Sequence, residues 1–334
     1  MGYSDIKREL GENWLKFEES YQRAISSDNE LITVINGHLI SHPGKMLRPL
    51  LSLLSADCCG KINNESIICA VTSEIMHTAS LMHDDVADNS DLRRGVPTIK
   101  KLFSPGASVL MGDYWLSKAI GLILTDSTDY KILQCFAKAL EDLSYGELLQ
   151  MKRAEDLQIN EIEYEDIIAK KTSSLFIASV KSGVLSVCPG DKSGILDAFE
   201  KFGYHLGIAF QIKDDILDYS PGKDIGKPTC ADITERKLTL PLIGAINNAL
   251  LCGSHYEEID SLIKRVGSID NTTSKADIDE IVRDVMNFVK QHNGISYAER
   301  ELDRHIEKAI ESIGIVPDSP SKQMLIKIVR SLTL

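Results

Sequence analysis

The sequence predicts an all-α protein: one domain, residues 1–334, built as a bundle of long helices. Three observations predict it. Apolar residues recur at spacings of three and four in "ELITVINGHLISH", "YKILQCFAKALEDLSYGELLQMKRA" and "DAFEKFGYHLGIAFQIKDDILDY". Strand signals are sparse. The breaks, rich in Pro, Gly, Asn and Ser, separate helix-length segments, and none reads as a flexible linker.

Taken in order, those breaks fall at His42 to Gly44, Gly60 to Asn64, Asn89 to Pro97, Ser104 to Gly106, Cys188 to Ser193 and Ser220 to Thr229. The windows opening at Ala107 ("ASVLMGDYWLSKAIGLIL") and Ile167 ("IIAKKTSSLFIASVKSGVLSV") are apolar nearly all round, which places them inside the bundle. After about Leu250 the helices become amphipathic, as in "ADIDEIVRDVMNFVKQ", and are expected to pack around the outside.

Composition excludes several classes. The 334 residues are 43% hydrophobic, enough for a substantial core, and carry a formal net charge of -12. That sign gives no general attraction to nucleic acid or an anionic membrane, so an anionic ligand must be held locally. Seven cysteines without a CxxC pair indicate neither a disulfide framework nor a zinc knuckle. The start "MGYSDIKREL" has no apolar signal region, and Ile6 stands where myristoylation wants Ser or Thr. No uncharged apolar run approaches the roughly 20 residues of a membrane span. A reducing cytoplasm is the expected location.

One acidic spacing recurs. "HDDVADNS" holds Asp84, Asp85 and Asp88, and "KDDILDYS" holds Asp214, Asp215 and Asp218, each at the end of an apolar helical window. On a helix, residues four apart lie about 5–6 Å from one another on one face, so Asp84 with Asp88, and Asp214 with Asp218, form two-carboxylate claws. Such claws cost stability unless a cation joins them, and helix C-termini already disfavour negative charge. Mg²⁺ is commonly held by one or two carboxylates while phosphate oxygens complete its shell. One copy would read as a solvated helix end; two copies point to function. Lys45 and Arg48 in "HPGKMLRP", and Arg93 and Arg94 after the first claw, supply donors suited to phosphate, although any one of them alone reads equally as a surface base.

Seven ordered segments, "GKMLRP", "LMHDDVADNSDLRRG", "VLMGDYWL", "GELLQ", "KKTSSLF", "FQIKDDILDY" and "GKPTCADITERKLTLP", resemble the trans-isoprenyl diphosphate synthases, the polyprenyl synthetase family. The resemblance runs from about Lys45 to Pro241 and continues more weakly to the C-terminus. It implies a deep central cavity with the two aspartate groups facing each other at its mouth, and about three Mg²⁺ on an allylic diphosphate such as farnesyl diphosphate. Asp84, Asp88 and Asp214 match the metal ligands, with Asp85, Asp215 and Asp218 acting directly or through water. Arg93, Lys171, Lys227 and Lys237 match contacts to the allylic diphosphate, with Thr172 and Gln211 at the reacting end. Lys45, Arg48, His77 and Arg94 match the site for isopentenyl diphosphate. Glu147 and Gln150 leave two roles open, a structural hydrogen bond or a substrate contact. The family's usual assembly is a homodimer, for which the window from Ala107 to Leu124 offers an apolar interface.

Product length is expected to follow from Ala79 and Ser80, one turn before Asp84 on the same helix. Short-chain members carry a bulky aromatic there, and this sequence has none. A product longer than C20, of six to ten units, is the expectation. "KPTCAD" lacks a glycine common before the corresponding aspartate, and "LFSPGASVLMGD" departs from commoner forms. A class I terpene cyclase would replace the second acidic group, a non-catalytic partner subunit would have eroded motifs, and a merely metal-binding helical protein would not turn over allylic substrate.

Overall fold

The computed structural model describes residues 2–127, 129–157, 160–188, 193–219, 230–253, 256–270 and 272–334. The chain opens with α1 (Tyr3–Leu10), α2 (Glu12–Ile25), α3 (Glu30–Ser41), α4 (Leu47–Cys59) and the long α5 (Asn64–Ala87). A hairpin of β1 (Leu92–Arg93) and β2 (Val96–Pro97) follows, then α6 (Ile99–Leu102), α7 (Pro105–Asp126) and α8 (Tyr130–Asp156). Next come α9 (Glu161–Ile168), a π-helical turn (Ala169–Ser173), α10 (Ser174–Val187), α11 (Ser193–Asp218) and α12 (Ala231–Thr234). The order ends with α13 (Leu240–Leu251), α14 (Tyr256–Gly267), α15 (Lys275–Gln291), α16 (Gly294–Ser312) and α17 (Pro320–Arg330). The fold is all-α, as the sequence predicts; among the described residues the hairpin is the only sheet.

The contacts divide the chain into two compact units. The first comprises Met1–Leu140, Ser174–Tyr204 and Ala309–Ser331. Its core forms around α5, which packs on α4, α7 and α10. Asn63 caps α5 by accepting from Ser66 N at 2.9 Å, and its Nδ2 donates to Ser186 O at 2.7 Å, pinning the start of α5 to the end of α10. Leu50, Leu51, Leu53 and Leu54 of α4 are fully buried, each such side chain contributing about 1.5–3 kcal/mol. α10 is buried nearly throughout, as its pattern predicts.

The other window predicted for the interior behaves differently. Met111, Trp115, Ala119 and Ile123 of α7 are buried, yet only 33% of its most apolar stretch is covered, and Leu110 and Leu124 are 69% and 65% exposed. Hydropathy counts apolar side chains; it does not say whether this chain supplies the element that covers them. Among the described helices α7 is the one long and apolar enough to cross a bilayer, with mean hydropathy 1.2. It carries Asp113 and Lys118 mid-helix and packs one face on α5.

The second unit comprises Glu141–Ser173, His205–Lys308 and Leu332–Leu334. Its core gathers Leu242, Ala245, Val266, Val285 and Phe288. α15 behaves as the amphipathic pattern predicts, burying Ile281, Val285, Phe288 and Val289 on one stripe.

Candidate active site

In the first unit the acidic group sits on the last turn of α5. Asp88 is the C-cap, and its N–H donates to Asp84 O at 2.8 Å. Asp84 and Asp88 are half-buried and remain open to solvent, whereas Asp85 points inward at 4% exposure. Arg93 Nε donates to Asp85 Oδ1 at 2.7 Å. Burial raises the Asp85 pKa above its ordinary value, and the Arg93 guanidinium opposes the rise.

The segment expected as a loop, Asn89 to Pro97, forms the hairpin because Arg94 and Gly95 both take positive φ, 54° and 79°, the geometry of a two-residue turn that matches strand twist. A left-handed backbone is costly for arginine, and it aims the two guanidiniums differently. Arg93 turns to Asp85, and Arg94 lies across Gly44, where an added Cβ would come within 2.5 Å of its guanidinium. A glycine at 44 is thus what lets Arg94 approach the start of α4.

That start is itself an anion site in form. Met46, the N-cap of α4, takes φ 54° and offers no side-chain cap, so the first-turn N–H groups are not claimed by a cap and are flanked by Lys45 and Arg48. Lys45 Nζ sits 5.8 Å from the Tyr3 ring centre, and the Arg48 guanidinium 4.5 Å from that of Phe176. Arg48 Nε is buried without a hydrogen-bond partner. Burial pulls Arg48 down to about 10, so it stays charged at neutral pH. His77 is half-buried on α5; desolvation first, then Arg48, Arg94 and Arg93, hold it well below its ordinary pKa, so it is a neutral donor or acceptor.

The second unit organises its residues through a relay. Tyr164 Oη donates to Asp215 Oδ2 at 2.5 Å, Gln211 Nε2 donates to Asp215 Oδ1 at 2.8 Å, and Thr172 Oγ1 donates to Gln211 Oε1 at 2.9 Å. Asp215 is buried, and desolvation raises it to about 7 against the pull of those two donors, with Asp214 and Asp218 adding repulsion. Asp214 is exposed. Asp218 accepts from the N–H groups of Ala231 and Asp232 at 3.1 and 3.2 Å, holding the first turn of α12. Asp232 is raised well above the usual carboxylate range by burial, then by Asp215 and Asp218.

Lys171 and Thr172 stand on the π turn, which the sequence pattern hides inside one continuous window. Such turns shift the residues they hold and recur at functional sites. Close packing accompanies it: a Cβ at Gly146 would lie 2.7 Å from Lys171 N, and one at Gly207 would collide with Ser173 Oγ. Lys171 Nζ reaches Glu147 Oε2 at 2.6 Å and donates to Gln150 Oε1 at 2.6 Å, so "GELLQ" orients that lysine. Lys237 Nζ pairs with Glu235 Oε2 at 2.6 Å. Lys227 lies outside the described residues.

Ala79 and Ser80 are buried on α5, with Ser80 Oγ donating to His77 O at 2.8 Å. Two participants were not anticipated. Tyr164 gives no sequence signal beyond an aromatic in an amphipathic helix. Glu74 does: it is an isolated acid in the apolar run "IICAVTSEIMHTASLM", one turn before His77.

Each unit therefore presents hard oxygen donors, which suit Mg²⁺ or Ca²⁺ and not a soft ion. Among the described residues no three His, Cys, Asp or Glu side chains form a ligand cage by themselves. Carboxylates packed against mutual repulsion, as Asp214, Asp215, Asp218 and Asp232 are, fit a cation whose remaining ligands arrive with a phosphate.

Comparison with known proteins covers nearly the whole chain. The chain is 33% identical over 331 residues to an octaprenyl diphosphate synthase of Haemophilus influenzae, covering 98% of this chain and 95% of that one. A geranylgeranyl diphosphate synthase of Sulfolobus acidocaldarius is 30% identical over 331 residues, covering 92% and 96%. A polyprenyl synthase of Caulobacter crescentus, solved with calcium and isoprenyl diphosphate, superposes with a TM-score of 0.88 at 28% identity, covering 99% and 97%. Residues 29–285 match the family model described as polyprenyl synthetase, and with relatives of this identity over nearly its whole length the chain belongs to that family of prenyltransferases.

Proposed function

We propose that the protein joins isopentenyl diphosphate head-to-tail to an allylic diphosphate such as farnesyl diphosphate, with trans geometry and with three Mg²⁺ per site, to make a polyprenyl diphosphate of C30 to C50. One observation carries the reading. The same division of labour occurs on two helices: a buried acid is fixed by its neighbours, Asp85 by Arg93 and Asp215 by Tyr164 and Gln211, while Asp84, Asp88 and Asp214 stay open to solvent.

In this reading Asp84, Asp88 and Asp214 are the direct ligands, and Asp85, Asp215 and Asp218 orient them or bind through water. When bound, Mg²⁺ neutralises charge on the allylic diphosphate. Arg93, Lys171, Lys227 and Lys237 hold the oxygens of that group as its C–O bond breaks heterolytically, stabilising the charge that develops there. Thr172 and Gln211, locked in the Asp215 relay, line the reacting end. Lys45, Arg48, Arg94 and neutral His77 hold isopentenyl diphosphate at the α4 N-terminus, with the unfilled Arg48 Nε available to it. Its double bond attacks the allylic cation, and the lost proton goes to the departing diphosphate.

Ala79 and Ser80, both small, leave the growing chain room to pass. The exposed face of α7, with Leu110, Ile120 and Leu124, is covered by a second copy of the chain in a homodimer. None of the seven cysteines is joined in a disulfide, which suits a cytoplasmic setting. The test is to incubate the purified protein with farnesyl diphosphate, labelled isopentenyl diphosphate and Mg²⁺ and to size the products. Products of C30 to C50 support the reading; no elongation, or products stopping at C20, refutes it.

A further inference from the structure

Within the first unit, α1 packs on α2 and α4. Its Ile6 and Leu10 are buried and hold the helix down. Tyr3 and Lys7, four residues apart, share a face. Lys7 lines one cavity with Gly44 and Met46, so that face turns toward the start of α4. The first turn of α1 is fixed at two points: Gly2 N donates to Asp5 Oδ2 at 2.8 Å, and Tyr3 Oη lies 3.3 Å from Ser331 Oγ, just past the end of α17.

The Tyr3 ring meets Lys45. The ammonium stands 5.8 Å from the ring centre, inside the roughly 6 Å reach of a cation–π contact. Among the described residues it makes no hydrogen bond or ion pair. The kind of partner matters here. A carboxylate in that place would neutralise the lysine and occupy its N–H donors. An aromatic face attracts the cation and leaves its charge and its donors to an incoming anion. A lysine also gives up rotamer freedom when it settles on a ligand, and a ring that already restrains it lowers that cost.

We propose that Tyr3 is a positioning residue for Lys45, strengthening the hold on isopentenyl diphosphate through the lysine. This rests on the reading above, in which Lys45 holds that diphosphate.

Initial elongation rates with isopentenyl diphosphate varied, at saturating farnesyl diphosphate and Mg²⁺, test it. Tyr3→Leu, which keeps an apolar side chain and removes the ring, raises the KM for isopentenyl diphosphate about two- to fivefold, the fold-change of an exposed cation–π contact. It leaves kcat and the KM for farnesyl diphosphate unchanged, as the loss of a ground-state binding contact does. Tyr3→Phe, which keeps the ring and loses the hydroxyl near Ser331, keeps the parent KM. In a Lys45→Gln background Tyr3→Leu has no further effect. Circular dichroism checks that each variant is folded. A parent protein that elongates no primer removes the reading on which this rests. With an active parent, the positioning role alone is overturned if Tyr3→Leu keeps its KM or lowers kcat instead, if Tyr3→Phe loses as much, or if the loss persists beside Lys45→Gln.

Discussion

Arg93 Nε bonds Asp85 Oδ1 at 2.7 Å, which anchors the middle acid of α5 to the hairpin that carries both arginines. Asp84 and Asp88 are left as the accessible pair. Asp84→Ala is therefore expected to lower kcat/KM by about 10²–10³-fold, the scale of a lost transition-state contact. Asp85→Asn should cost about 10–100-fold, the range for groups that orient a ligand. Steady-state kinetics with helicity checked by circular dichroism decides it; equal losses in the two variants would remove the distinction.

Tyr164 and Gln211 both donate to the buried carboxylate of Asp215. Tyr164→Phe leaves Asp215 Oδ2 short of a hydrogen bond, at a cost of about 1–3 kcal/mol. Urea unfolding should show a lower midpoint at unchanged slope. An unshifted midpoint would mean that water replaces the phenol.

His205 and His305 face each other through Nδ1 atoms 3.1 Å apart. Burial, helped by Lys308 and Arg304, lowers His205 to about 4; burial, helped by His205 and Arg304, lowers His305 to about 3. An unfolded histidine takes its proton near pH 6.5. Between about pH 6.5 and 4 the unfolded chain binds more protons than the folded one, so stability falls as pH falls. Replacing both with Gln should flatten the fall in Tm over that window by about 2 °C or more. Calorimetric scans from pH 7 to 4.5 would show it, and parallel curves for the two proteins would refute it.

Ala79 is fully buried one turn before the first acidic group. Ala79→Phe should shorten the longest product by at least one isoprene unit while initial turnover persists. Chromatography of the dephosphorylated products reads this, and an unaltered distribution would move the stop elsewhere.

The uncovered side of α7 predicts self-association. Leu110→Glu with Leu124→Glu puts charge on positions 69% and 65% exposed in the single chain, so folding should survive and the dimer should weaken at least tenfold. Light scattering behind size exclusion separates the outcomes. A monomeric parent protein would end the proposal at once.

The sequence by itself determined the helical class, the two acidic groups and the bases around them, because periodicity and charge spacing are local: each is written within a dozen residues. It also announced Glu74, an acid in an apolar run, without saying what it meets. Tertiary structure alone decided which aspartates are buried and bonded and which stay open, since that depends on Tyr164 reaching Asp215 from α9 and on the hairpin turning Arg93 back onto Asp85, with Gln211 joining from Asp215's own helix. It likewise set the π turn that carries Lys171, where Gly146 packs from α8, and it left α7 half uncovered despite a pattern that reads as interior. Burial and partnership are sums over contacts between distant parts of the chain, so no window of sequence contains them.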